Sequence, residues 1–407
     1  MINSVARINN PDVTIAGQTS PGGIIVRGLV CDNGIFEPEA VCENVIVRHL
    51  RSRPQDPDVY PGEGDVNDDA LRLDGAENIV IDHCSFANAV DESVQISQTS
   101  NLTIQNSILA ETIGGHSQYG GMLINYSSED HPQDNLSIHH NMWHRIGGRM
   151  PEISCEDNGE FATTNCEGHT INLELSNNLL WDPGYFIDYS GATDPGSGGG
   201  QFNVNLNWVN NYMASPEDFP YGFLSAGMVE EEGNSLFLSG NEMNLYPSYS
   251  DEELAYCCND FPTNVPNITE PAAEIMAVRQ DFPDITYTDT ASVIDYMIDN
   301  VGAFPRDPMD RRYIASLEAG EFDDTALDEA GAEDAFDLDY DESDPPAAPT
   351  DTDLDGMPDD WETAHGLDPN VQDQNGTDVS LEMAGVDGYT NLECYLNELA
   401  SDLISEE

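Results

Sequence analysis

Two groups of oxygen-bearing side chains in this 407-residue chain are spaced to do chemistry. In the first, Asp69 stands before a short apolar strand, and Asp91 and Glu92 recur one repeat later. Gln95 follows four residues after Asp91. If successive strands stack, these oxygens meet beside one groove, and hard oxygen donors at that density suit Ca²⁺. Asp68 and Asp65 are spare candidates. In the second group, Asp351, Asp353, Asp355, Gly356 and Glu362 fit the loop D-x-D-x-D-G-x₅-E, with Asp359 at its ninth position and Gly356 supplying the sharp turn. The bland alternative is that some of the 77 acids cluster by chance, and that the second group is an acidic, solvated tail.

The elements around these groups explain how they would be positioned. A phrase recurs: Asn44-Val-Ile-Val-Arg-His, Asn78-Ile-Val-Ile-Asp-His, Asn101-Leu-Thr-Ile-Gln-Asn and Asn135-Leu-Ser-Ile-His-His. Weaker copies begin at Ile171, Phe202 and Ser235. Each is a short strand of alternating apolar residues followed by a polar turn. The period of two disfavours helical repeats. Short strands recurring this way predict a solenoid, because one rung cannot bury its apolar face alone. The Asn after each strand tolerates a left-handed turn, and stacked amides can ladder. A β-sandwich would need hairpin signals, which are scarce. The expected fold is therefore all-β, a right-handed parallel β-helix over residues 1–250. A short helical extension (251–319, with a helix from Thr290), an acidic linker (320–349) and a small calcium-loop module (350–407) complete it.

Composition narrows the partners. The formal charge is −65, and all twelve basic residues are arginine. Such a surface repels phosphates, which argues against nucleic acid. Its self-repulsion would be largely screened at about 1 M salt, where the Debye length is roughly 3 Å, so a salt-adapted protein is expected. The competing reading is an acidic secreted protein that binds many cations. No apolar run is long enough to span a membrane. Cys31 and Cys42 bracket one short insertion and Cys155 and Cys166 another, so each pair is a disulfide candidate suited to an oxidising compartment. Cys84 reads as a buried thiol, and Cys257 and Cys258 are adjacent. The opening residues lack an export signal, so the numbering is expected to start inside a longer, secreted product. No HExxH, paired Cys/His or Gly-x-Ser-x-Gly pattern is present.

Several stretches, in order, resemble the pectate lyase family of polysaccharide lyases. They are Asn10-Pro-Asp-Val-Thr-Ile-Ala-Gly-Gln-Thr-Ser, Asp69-Ala-Leu-Arg-Leu, Ile81-Asp-His-Cys-Ser-Phe, Asp91-Glu-Ser-Val-Gln-Ile, His139-His-Asn-Met-Trp through Arg149-Met-Pro, and Val301-Gly-Ala-Phe-Pro-Arg. The resemblance implies calcium-assisted β-elimination of an acidic polysaccharide, polygalacturonate or pectin, by a secreted and monomeric enzyme. Asp69 and Asp91 match calcium ligands, while the third family carboxylate falls at Gln95, with Glu92 nearby. Arg149 matches the catalytic arginine. Either it removes the proton, which requires a special site because arginine normally stays charged, or it stabilises charge while His144 or His116 acts as base.

Two positions depart from the family. Ser154 stands where a second arginine is common, and no lysine exists to hold substrate, leaving Arg145 or His116 for that task. The alternatives are thus a lyase for esterified pectin or another uronan, or a non-catalytic polysaccharide-binding β-helix. The segments beginning Trp361-Glu-Thr-Ala-His and Gly388-Tyr-Thr-Asn resemble thrombospondin type 3-like or dockerin-like appendages.

Overall fold

In the computed structural model, the described residues are 1–55, 68–113, 120–156, 165–190, 200–255, 271–322, 336–341 and 344–406. His116, Asp65, Cys257 and Cys258 lie outside them. Every paired strand runs parallel to its neighbours, in three sheets of seven, nine and eight strands. Each sheet takes one strand from each turn of the chain, so the architecture is a parallel β-helix.

The recurring phrase builds the nine-stranded sheet. Glu43–Arg48, Glu77–Asp82, Ser100–Gln105 and Asp134–His139 stack in register, Val45 on Ile79, Leu102 and Leu136. The alternate residues Val45, Val47, Ile79, Ile81, Leu102, Ile104, Leu136 and Ile138 are all buried and form the interior. Asn44, Asn78, Asn101 and Asn135 each take a positive φ, in the left-handed region. Their amides form an outer ladder: Asn135 donates to Asn101, Asn101 to Asn78, Asn78 to Asn44, and Asn44 to the Asp12 carboxylate. This ladder sits where each strand opens, not after it.

A second, buried ladder lies past the strand ends. There Asn141 donates to Asn178, Asn178 to Asn211, and Asn211 to Asn241. It ends on the Asp251 carboxylate.

The sheet continues past residue 250 to Glu274–Ile275, so the solenoid extends beyond the expected boundary. The helix read from Thr290 is present as a short 3₁₀ turn and Val293–Asn300. With Pro308–Ala319 it covers the eight-stranded sheet, Met297, Tyr313 and Leu317 packing on Ile108, Met142 and Leu179. Beneath it lies an ion-pair node without solvent access: Arg51 Nε is 3.1 Å from Asp307 and Arg53 Nη2 is 3.0 Å from Asp310. Both candidate disulfides join, Cys31 to Cys42 and Cys155 to Cys166. Cys84 is buried as expected, and burial pushes its thiol up to about 12. The final module rests on the first turns, Gln18 bonding the Leu396 carbonyl and Arg48 the Asn397 side chain.

Candidate functional site

The seven-stranded sheet carries the first acidic group. Its strands Leu71–Asp74, Val94–Ser97, Met122–Asn125 and Glu152–Ser154 stack with Arg72, Gln95, Leu123 and Glu152 in one outward row. Asp69 and the Asp91–Glu92 pair sit just before two adjacent strands, so stacking brings them together. The Asp69 carboxylate accepts the Glu92 backbone N–H at 3.1 Å. One oxygen each of Asp69, Asp91 and Glu92 lies within 4.8 Å of the others. Asp69 and Glu92 are buried, and Asp91 faces solvent in part. Three carboxylates converging at that spacing fit a hard divalent cation such as Ca²⁺.

Arg149 reaches the same place from two turns beyond Glu92. It pairs with Glu92, lies 3.8 Å from Asp91, and donates through Nε to Glu152 at 3.1 Å. Its backbone is held in the left-handed region, and its carbonyl accepts the Met122 N–H at 2.7 Å. A Cβ at position 121 would collide with that carbonyl, which explains Gly121. Asp69, Asp91 and Arg149 therefore meet on one face of the solenoid.

Other expectations meet corrections. Gln95 is in the row, next to this group, and its amide donates to Ser97 at 2.9 Å. His144 is turned to the opposite sheet, where Nε2 meets Ser316 and the ring packs on Tyr313 beneath the Pro308–Ala319 helix. A base there cannot reach that face. Arg145 ends the same eight-stranded sheet and pairs with buried Glu111 at 3.2 Å and with Asp182. Arg312 clamps Glu111 from the helix, so Arg145 belongs to a packing node. Ser154 is buried in its strand.

Two residues were missed. Glu152 is a fourth acid, three residues after Arg149, and the strand register alone points it at the guanidinium. Arg72 bonds Asp74 at 2.8 Å and approaches Asp69 at 3.4 Å. The alternation Leu71-Arg72-Leu73 was the signal that it faces outward.

In the terminal module, Asp351, Asp353 and Asp355 converge, and Asp355, Glu362 and Asp373 form an overlapping second group. Asp351 also accepts the backbone N–H groups of Leu354 and Gly356, closing the loop. Glu362 is fully buried, and neither its oxygens nor those of Asp353 have a hydrogen-bond partner. Burial, then the nearby Asp355, Asp353 and Asp373 charges, push the Glu362 carboxyl up to about 7. Buried oxygens aimed at one another fit a cation. Asp359 accepts from the Thr352 N–H and hydroxyl, both at 2.7 Å, while Asp373 joins Asp355 and Glu362.

No family model matches the chain. A probable pectate lyase C of Aspergillus flavus is 30% identical over 392 residues, covering 95% of this chain and 78% of that protein. The chain belongs to the pectate lyase family. It is accordingly an enzyme, a polysaccharide lyase. A probable pectate lyase C of Emericella nidulans is 29% identical over 398 residues, spanning 96% of this chain and 78% of its own length. Among solved structures, a thermostable pectate lyase aligns over 74% of this chain and 69% of its own, at 15% identity and a TM-score of 0.39. No helix among the described residues is long and apolar enough to cross a membrane.

Proposed function

We propose that this pectate lyase cleaves unesterified polygalacturonate by calcium-assisted β-elimination, releasing unsaturated oligogalacturonides. The observation that carries the reading is the convergence of Arg149 with Asp69, Asp91 and Glu92 on one face. Bound calcium would supply the Lewis acidity that withdraws charge from the uronate C6 carboxylate and acidifies the C5 proton. Asp69, Asp91 and Glu92 would hold it. Arg149 stands over the same point as the group that meets the C5 proton. Glu152 keeps the guanidinium aimed.

The terminal module is read as a second, structural calcium site built from Asp351, Asp353, Asp355, Glu362 and Asp373. The acidic surface is read as salt adaptation, and the enzyme as secreted and monomeric. The paired loop disulfides support an oxidising compartment.

The test follows ultraviolet absorbance of unsaturated ends from polygalacturonate, with calcium and with a chelator. Rising absorbance that the chelator abolishes, and that Arg149→Ala loses, is the expected result. Silence on every uronan would favour a polysaccharide-binding β-helix, a reading that Ser154 and the missing lysine keep in view. Preference for methylated pectin would move the enzyme to the esterified substrate.

A further inference from the structure

The terminal module bonds the solenoid's first turns through the helix Asn391–Glu406, and that helix is tied in turn to the acidic group around Glu362. Glu362 lies in the helix Asp359–His365, fully buried, with both carboxylate oxygens unpartnered and one of them within 4.8 Å of Asp355 and Asp373 oxygens. Its neighbours in that helix reach across to the longer one. Trp361 Nε1 donates to Glu398 at 2.7 Å, His365 Nε2 meets the same carboxylate oxygen at 3.2 Å, and the Trp361 ring packs edge-on to Tyr395. Asp355 accepts the backbone N–H groups of Asp373 at 3.2 Å and Gln374 at 3.1 Å. The Asp373 carbonyl accepts from the Asn391 side chain at 2.9 Å, where the longer helix starts. Just before Glu398, the Leu396 carbonyl and the Asn397 side chain take hydrogen bonds from Gln18 at 3.3 Å and Arg48 at 3.2 Å.

The joint itself is thinly made. Between module and nine-stranded sheet it leaves a cavity of about 610 Å³ lined by Thr14, Ile46, Met383, Tyr389 and Cys394, and a space of that size forfeits apolar contact. Residues 344–350, which lead into the module, are exposed throughout. A few hydrogen bonds in fixed geometry therefore hold the module down, and that geometry depends on Glu362. Alone, its buried carboxylate lacks a compensating charge, and Asp355 and Asp373 add repulsion. A hard divalent ion removes both costs. We propose that the module is a cation-operated latch: an ion such as Ca²⁺ held by Asp355, Glu362 and Asp373 fixes the two helices against each other and seats Leu396 and Asn397 on the solenoid, and its removal lets the module lift away on residues 344–350. This rests on the reading of the terminal acidic group as a cation site.

The test uses the full chain. Terbium emission sensitised by Trp361 reports the ion, as the part of the signal that Glu362→Gln loses, and small-angle X-ray scattering reports the seating. In the wild type, replacing calcium by a chelator should lengthen the maximum dimension by on the order of 10 Å, since the extended residues 344–350 span at most about 23 Å. Glu362→Gln should give one dimension in both conditions. Glu398→Ala, which cuts the tie between the helices, should keep the terbium emission and stay extended in calcium. An unchanged wild-type dimension despite terbium emission overturns the latch and leaves the cation reading standing, and a calcium response kept by Glu362→Gln overturns it too. Equal emission from the wild type and Glu362→Gln removes the cation reading itself, and the latch with it.

Discussion

Glu152 accepts the Nε–H of Arg149 at 3.1 Å, although the two belong to different parts of a turn: Arg149 at its corner, Glu152 at the start of the next strand. The carboxylate thus orients a guanidinium whose other end lies among Asp91 and Glu92. Replacing Glu152 by Gln keeps the shape and removes the charge. We expect kcat to fall about tenfold to a hundredfold with little change in KM, together with a shifted pH–rate profile. Steady-state rates across pH check this, and an unmoved profile would reduce Glu152 to a packing role.

The two carboxylate groups should respond to calcium independently. Asp91→Ala should raise the calcium needed for half-maximal activity by more than about tenfold, while Glu362→Gln leaves that titration alone. Thermal melting should show the reverse. Without calcium Glu362→Gln relieves repulsion among buried acids and melts no lower than the wild type. At calcium 100-fold above its dissociation constant the wild type gains about 2.7 kcal/mol that the variant lacks. Parallel melting curves at all calcium levels would count against the module as a cation site.

Burial, then the neighbouring His139, lowers the His140 imidazole to about 3, and burial lowers His139 to about 4. A histidine depressed in the fold contributes stability above its ordinary value of 6.5, and loses it as pH falls below 6.5 toward the folded value. Asp307, raised to about 6, and Asp74, raised to about 7, run in the opposite direction, losing their contribution as pH rises from the ordinary 3.8. The clean measurement is therefore a difference. The melting advantage of the wild type over His140→Asn should shrink between pH 6.5 and 4. A constant gap would contradict the burial of a neutral ring.

With a formal charge of −65, stability should rise with sodium chloride up to about 1 M, where the Debye length is roughly 3 Å. Circular dichroism melts from 0.05 to 3 M salt test this, and a flat series would leave the acidic surface without a role in salt adaptation.

Most of the fold could be read from the alternation in the recurring phrase, because a period of two with no hairpin turns leaves few arrangements that bury every strand. The meeting of Asp69 with Asp91 followed from it, since both stand just before a strand of the same sheet. The residues between Met142 and Glu152 were harder. The chain turns a corner there, from the eight-stranded to the seven-stranded sheet, so His144 and Arg145 face a helix while Arg149 faces the carboxylate group. Gly147-Gly148 marks a turn there, but not which sheet the chain leaves and which it joins. Asp373 was illegible for a similar reason: it lies outside the loop motif, and only the fold of the module returns it to Glu362. Asp359 fitted the motif by position, yet Thr352 offers it two donors at closer hand.

The two asparagine ladders have opposite polarity. Along the outer one each amide hands its N–H back toward the earlier turn, and along the buried one it hands it forward to the later turn. Each file of dipoles finishes at its donor end on a negative charge, Asp12 in one case and Asp251 in the other. The cylinder thus carries two opposed electrical axes, each with an anionic stopper, and neither end can accept another identical asparagine turn without displacing the aspartate that closes it.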